Sequence, residues 1–150
     1  MNRVTAPPLE IPVDELGEVD VFDLVFYGVD HSGPSYQARI FLNNPDAGLD
    51  TPLDAESGYA GAFTVFGHAG CYGSQGHCDP AQRETDEFDR RPQHPLTPQT
   101  KTVTIDPGAW RPLQGASVTV TVVAVDVSGT EPAESDALSF DRVRLLSYDG

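Results

Sequence analysis

The residues best suited to chemistry in this chain are grouped in one short stretch. His68 to Cys78 spans eleven residues and holds both cysteines and two of the four histidines. The candidate ligands are His68, Cys71, His77 and Cys78, with His94 further along the chain. Thiolate and imidazole bind soft and borderline metal ions, and copper(I) favours both. Interspersed glycines let the backbone bend tightly between these residues. The stretch is therefore the first candidate for function.

The spacing of these residues ranks the metal sites that they could form. Neighbouring side chains diverge in an extended chain, so His77 and Cys78 rarely bind one ion together. The best-suited set for copper(I) is His68, Cys71 and Cys78, with His77 or His94 peripheral. The two cysteines do not follow the Cys-x2-Cys spacing of structural zinc sites, which makes zinc less favoured. A Cys2His2 zinc site that uses His68 and His94 is the alternative.

The two cysteines also have interpretations that need no metal. Cys71 and Cys78 could form a disulfide in an oxidising compartment, or stay as thiols in a reducing one. The sequence does not decide between these states. In the disulfide case the bond is a local staple that orders the loop, and the nearby histidines are exposed or hydrogen-bonded.

Composition excludes several classes of function. The chain has 150 residues, one domain by the usual size, with 23 acidic against 9 basic residues and a formal net charge of −14. Such a surface repels phosphate backbones and anionic membranes, so neither nucleic acid nor membrane is an expected partner. It favours cations and basic protein partners instead. No apolar run is long enough to span a membrane.

The first nineteen residues differ from the rest of the chain. We predict that residues 1–19 form an extended acidic leader or linker and that residues 20–150 form the folded domain. Residues 1–18 contain no apolar segment typical of a secretory signal. The expected location is therefore cytoplasmic, or outside the cell only when the chain is exported together with a partner.

From residue 20 onward the pattern indicates strands, because apolar and polar residues alternate between turns rich in proline and glycine. The fold class predicted is all-β, an antiparallel β-sandwich of 6–8 strands with one long Cys/His-containing insertion loop over residues 67–100. The predicted strands are Asp20–Asp30, Tyr36–Asn43, Tyr59–Phe66, Lys101–Ile105, Ser117–Val127 and Leu138–Tyr148. The predicted core residues are Phe22, Leu24, Phe26, Ile40, Leu42, Phe63, Val65, Val118, Val120, Val122, Phe140, Val143 and Leu145.

The order of five segments resembles a known family. They are Tyr36–Asn43, Gly58–His68, Lys101–Ile105, Ser117–Val123 and Phe140–Leu145. Together they are similar to the C-terminal β-sandwich domain of the tyrosinase and polyphenol oxidase family of type-3 copper proteins. In the plant enzymes an aromatic-Ala-Gly-Ser-Phe strand leads to a histidine, as the second segment does here. At the place matched to the family's Lys-Phe-Asp-Val signature, this chain has Gln37-Ala38-Arg39-Ile40-Phe41.

The resemblance implies a role as a lid. In the family the dicopper centre lies in a separate helical domain and needs six histidines, whereas this chain has four, His31, His68, His77 and His94. The chain alone is therefore expected to be non-catalytic, with no cofactor required for folding. The implied partner is a histidine-rich helical copper oxidase domain or subunit, whose dicopper entrance the sandwich covers to maintain latency. Copper loading is a further implied role, since an accessory protein of bacterial tyrosinase also delivers copper.

Two aromatic residues have roles that depend on the lid interpretation. Tyr72, between the cysteines, could enter the copper pocket as a phenolic plug; the alternative is that it packs on the sandwich. Trp110 could anchor a partner, because tryptophan is enriched at interface hot spots. Its alternative is a loop tryptophan that caps the end of the sandwich. His31, in a His-Ser-Gly-Pro turn, is expected to be a turn or surface residue.

Other functions find less support in the sequence. No serine stands in a nucleophile-elbow context, and no catalytic residue is assigned. The main alternative to the lid is a stand-alone copper- or zinc-binding β-sandwich with no oxidase partner. An unrecognised hydrolase or oxidase is the third hypothesis.

Overall fold

Two antiparallel sheets form the body of the protein. The structure, a computed structural model, describes residues 2–13, 19–69, 88, 97–134 and 136–149. The strands are β1 Arg3–Glu10, β2 Val19–Val29, β3 Tyr36–Leu42, β4 Tyr59–Val65, β5 Gln99–Ile105, β6 Ser117–Val125 and β7 Arg142–Asp149. A four-residue helix, α1 (Pro107–Trp110), and a short 3-10 helix (Arg111–Leu113) connect β5 to β6.

The two sheets form the two layers of a sandwich, because residues of both contribute to one buried core. One sheet has the order β1-β6-β3-β4 and the other β5-β2-β7, and every pair is antiparallel. This confirms the all-β antiparallel sandwich predicted from the alternating pattern. No helix in the described part of the chain is long and apolar enough to cross a membrane.

The core lies between the sheets, where the inward residues of each strand meet. Phe22, Leu24 and Phe26 on β2 are each at most 1% exposed, as their period-two spacing predicts. Phe140 and Leu145 are only partly buried but pack against this core. The other predicted core residues are all buried: Ile40, Leu42, Phe63, Val65, Val118, Val120, Val122 and Val143.

Part of the segment expected to be a leader belongs to the sandwich. β1 pairs with β6, and Ala6 and Ile11 are buried. The register shifts between Ala6 and Leu9, where two prolines interrupt the ladder. Prolines are tolerated there because β1 is an edge strand. The strand after the prolines is held further by the Ile11 N–H, which donates to the Ala116 carbonyl at 3.0 Å.

The turn after β6 is organised by one carboxylate. The Ser128 hydroxyl and the backbone N–H groups of Thr130 and Glu131 donate to Asp126. These hydrogen bonds lower the pKa of Asp126 from its ordinary 3.8 to about 2, and the bond from the Ser128 hydroxyl has the largest effect. The ionised form is therefore the one that the folded turn stabilises.

We expect Asp126 to titrate near pH 2 in the folded protein. Because its folded pKa lies below the unfolded value, its stabilising contribution is present above about pH 4 and is lost as pH falls toward 2. Carboxyl carbon NMR shifts followed against pH measure the midpoint, and the Asp126→Asn variant identifies the resonance. A midpoint close to 3.8 would show that the turn does not hold the carboxylate in this way.

Candidate functional site

One end of the sandwich brings together two chain segments that are 37 residues apart. The first is the turn of residues 30–35, between β2 and β3; the second, residues 66–69, leaves the end of β4. The His68 N–H donates to the His31 carbonyl at 3.0 Å, and the Ala69 N–H donates to the Gly33 carbonyl at 2.9 Å. The Gly67 N–H donates to Ser35 Oγ at 2.9 Å. We call these two segments, with Thr97 and Gln99, the histidine rim.

Gly67 allows the two segments of the rim to approach closely. A Cβ at this position would lie 2.1 Å from the Gly33 carbonyl oxygen and 2.3 Å from the Pro34 carbonyl carbon. Both are backbone atoms, so no side-chain rotation relieves the overlap. Glycine is therefore required for His68 to lie against the turn that carries His31.

His31 is buried within the rim, with a side chain only 7% exposed. Its Nε2 lies 2.7 Å from the Thr97 carbonyl oxygen, and its Nδ1 lies 3.3 Å from the Gln99 side-chain amide nitrogen. Both ring nitrogens thus have polar partners inside the protein. From the sequence, His31 was predicted to be a turn or surface residue. His31 does lie in the turn, but its side chain is buried.

His68 is half-buried and turns one edge of its ring toward His31. Its Nδ1 lies 3.2 Å from His31 Nδ1 and 3.1 Å from the His31 carbonyl oxygen. The two rings meet edge to face, with centroids 4.8 Å apart at 78°. Within the described part of the chain, the hydrogen-bond contacts of the His68 ring are made through Nδ1.

Other residues of the rim, and Tyr36 next to it, add polarity and an exposed aromatic surface. The Ser32 N–H donates to Asp30 at 2.9 Å, and this bond holds the pKa of Asp30 below its usual value. Burial, with a smaller effect of the Asp30 charge, raises the pKa of Tyr36 to about 12. The buried Tyr36 hydroxyl has no hydrogen-bond partner among the described residues. Phe66, two residues before His68, is 74% exposed.

Only one of the predicted metal ligands falls within the part of the chain that the structure describes. That residue is His68; the other predicted ligands, Cys71, His77, Cys78 and His94, lie outside it, and so does Tyr72, the possible pocket plug. No group of three or more His, Cys, Asp or Glu residues suited to a metal ion occurs among the described residues.

His31 is the rim residue that the sequence pattern did not connect with the site. The β3–β4 pairing matches Tyr36 with Val65. In such an antiparallel pair, the residues just before the first strand and just after the second must lie at the same end. Because His31 precedes β3 and His68 follows β4, this strand pairing was the signal from which their proximity could have been predicted.

Trp110 occupies the interior of the sandwich and is not on its surface. It is 0% exposed, at the end of α1, and its ring meets Phe22 edge-on with centroids 4.2 Å apart. The Asp106 side chain caps this helix by accepting from the Gly108 N–H. This burial fits the alternative of a tryptophan that closes the end of the sandwich, and it leaves no exposed ring surface at Trp110 to anchor a partner.

The opposite end of the sandwich has an open cleft of about 570 Å³. It lies between the ends of β3 and β4 and the α1 segment, with Leu42, Tyr59 and Leu113 among its lining residues. The described residues that line it include polar ones, Asn43, Asn44 and Glu56, but neither histidine nor cysteine.

Among the comparisons with known proteins, only the comparison with solved structures finds proteins similar to this chain. No protein-family profile and no curated protein matches the sequence. Recombinantly expressed latent aurone synthase (polyphenol oxidase) is similar with 14% identity and a TM-score of 0.49, over 98% of this chain and 24% of that chain. The same enzyme from a natural source gives 16% identity and a TM-score of 0.48, over 97% and 24%. The chain thus spans about a quarter of these proteins, and at such values the likeness says nothing about activity.

Proposed function

We propose that this chain is a non-catalytic accessory or shielding domain of a tyrosinase-like type-3 copper oxidase. It covers the entrance to a dicopper centre held by a histidine-rich helical domain or subunit, and it assists copper loading through the histidine rim. The observation that carries the proposal is that all five segments of the sequence resemblance fall on successive strands of one sandwich, β3 to β7.

The strand that leads to a histidine gives the resemblance its most specific support. Residues 58–68 form β4 and its continuation, and the continuation places His68 at an end of the sandwich. Phe66 is exposed beside it, so this end presents an aromatic side chain and an imidazole together. An exposed aromatic surface of this kind suits a domain that covers an entrance for phenols.

The histidine count supports a role that depends on a second protein or domain. The chain contains four histidines, and His31 uses both ring nitrogens within the rim. The dicopper centre of the resembled family requires six. The proposal therefore assigns the oxidation to the partner, and shielding and copper handling to this chain.

Co-expression with a candidate helical oxidase tests the proposal. We expect the two to co-purify, and we expect the bound sandwich to lower phenol turnover by the copper-loaded oxidase. The Phe66→Ser variant should weaken this inhibition without a change in folding, since Phe66 is exposed. Tyr148→Ser, an exposed position on β7, is the matched control. Absence of association, together with unchanged copper loading and turnover, would contradict the proposal.

A stand-alone copper- or zinc-binding β-sandwich is the second candidate. The observation that favours it is the His31–His68 contact, which forms within this chain and needs no partner. Titration of the purified chain with copper(I) and with zinc, followed by assays for association with an oxidase, separates the two candidates. Tight stoichiometric binding without any association would favour the stand-alone protein.

A further inference from the structure

We propose that a groove on the outer face of the four-stranded sheet binds a small organic carboxylate, a single negative charge joined to an apolar body. This binding function is separate from the shielding role and does not depend on it. The groove has a volume of about 400 Å³, within the usual range of small-molecule sites, about 300–1,000 Å³. Arg3, Leu49, Val123 and Pro132 are among the residues that line it.

Strand register places an arginine on each side of the groove's floor. Val123 on β6 lies directly opposite Arg3 on β1 and directly opposite Arg39 on β3. Opposite residues of antiparallel strands carry their side chains on the same face of the sheet. This face points away from the main core, because Val123 packs with Ala47 in a separate small cluster. An apolar floor thus lies between two cations.

Arg39 positions two walls of the groove. Its side chain is 9% exposed. Nη1 donates to the Leu49 carbonyl at 3.2 Å, and Nη2 donates to the Gly129 carbonyl at 2.8 Å. Leu49 lines the groove, and Gly129 belongs to the turn that leads to Pro132, which also lines it. Nε donates to Gln37 Oε1 at 3.3 Å. All three acceptors are neutral oxygens, so these hydrogen bonds do not neutralise the guanidinium charge.

Arg3 is the cation placed to meet the ligand. Its side chain is exposed and lines the groove. Nη1 donates to the Ala47 carbonyl at 3.3 Å. The guanidinium carries further N–H donors and can bind a carboxylate in a bidentate manner. The described residues that line the groove include no aspartate or glutamate to compete for Arg3.

The lining selects the class of ligand. Leu49, Val123 and Pro132 offer apolar surface, whose burial favours binding, and Arg3 offers the charged group that fixes the orientation. The net charge of −14 disfavours polyanions such as nucleotides. A monoanion with an apolar body is therefore the best-suited ligand. Phenylacetate, with one ring and one carboxylate, is the probe for this chemistry.

Titration of the full chain with phenylacetate, followed by amide NMR, tests the site. The amide resonances of Gly48, Leu49, Val123 and Ala124 should shift together and reach saturation. Phenylacetamide, which has the same shape without the charge, should bind about tenfold more weakly. Acetate, which has the charge without the ring, should also lose about tenfold. Equal binding of either control compound, shifts confined to other residues, or no saturable shift would overturn the proposal.

A charge-removing variant tests the role of Arg3. Arg3→Gln should weaken phenylacetate binding about tenfold, or about 1.4 kcal/mol, close to the contribution of a hydrogen bond to a charged group. Arg3→Lys should bind with intermediate affinity, because lysine keeps the charge and loses the bidentate geometry. Urea unfolding of each variant checks that the fold is retained.

The matched control is Arg144→Gln, which removes the same charge from an exposed position on β7 in the other sheet. It should leave the affinity for phenylacetate unchanged. Equal losses in Arg3→Gln and Arg144→Gln would reduce the effect to net charge and would overturn the proposal. Unchanged binding by Arg3→Gln would overturn it as well.

Discussion

Replacing Trp110 by alanine should lower the free energy of unfolding by about 3–5 kcal/mol, the usual cost of truncating a large buried aromatic residue. The ring is completely buried and packs edge-on against Phe22 in the main core. Urea unfolding of the parent chain and the variant measures the difference.

Two further variants separate packing from polarity at this position. Trp110→Phe keeps an aromatic ring and removes the indole N–H, which has no hydrogen-bond partner among the described residues. Trp110→Phe should lower the free energy of unfolding by less than half as much as the alanine substitution does. Tyr148→Ala, on the exposed side of β7, should change stability by no more than about 0.5 kcal/mol. A loss below about 1 kcal/mol for Trp110→Ala would contradict the burial described for this ring.

Replacing Gly67 by alanine should separate the two halves of the histidine rim. The added Cβ would overlap the backbone of Gly33 and Pro34, at distances of 2.1 and 2.3 Å. Overpacking of this kind costs about 1–3 kcal/mol. Because His68 is the next residue, the displacement should also break the His31–His68 contact, visible as a change in the imidazole nitrogen spectrum.

Gly33→Ala is the matched control, since a Cβ at Gly33 would meet nothing within 4 Å. It tests whether added bulk in the rim is harmful in general. It should leave both stability and the imidazole spectrum close to those of the parent chain. If Gly67→Ala behaved in the same way, the close approach of the two segments would not hold in solution.

The central strands could be predicted from the sequence because their alternation is regular. On β2 and β6 the inward positions are apolar at every second residue, and the structure buries them. β1 was missed because its two prolines and its position among acidic residues indicated a linker. An edge strand needs hydrogen bonds on one side only, so it tolerates such residues. The four-residue helix α1 is too short to leave a periodic signal.

The candidate site was predictable only in part, because some of its contacts join residues that are distant in the chain. His68 could be selected from its own chemistry and its neighbours in the sequence. The role of His31 depends on contacts with His68 and with Thr97, 37 and 66 residues away. The spacing of residues within a short stretch of sequence does not reveal contacts with residues so far away in the chain. The burial of Trp110 likewise depends on Phe22, which is distant in the chain.

The central claim is that this sandwich assists an oxidation carried out by another domain, and a turnover assay of the copper-loaded chain alone tests it most directly. Purified protein, freed of loosely bound copper, would be supplied with a monophenol or a catechol and oxygen, and quinone formation would be followed by absorbance. The account predicts a rate no greater than that of an equal amount of copper bound to the unfolded chain. Saturable quinone formation that tracks the folded protein through purification would contradict it.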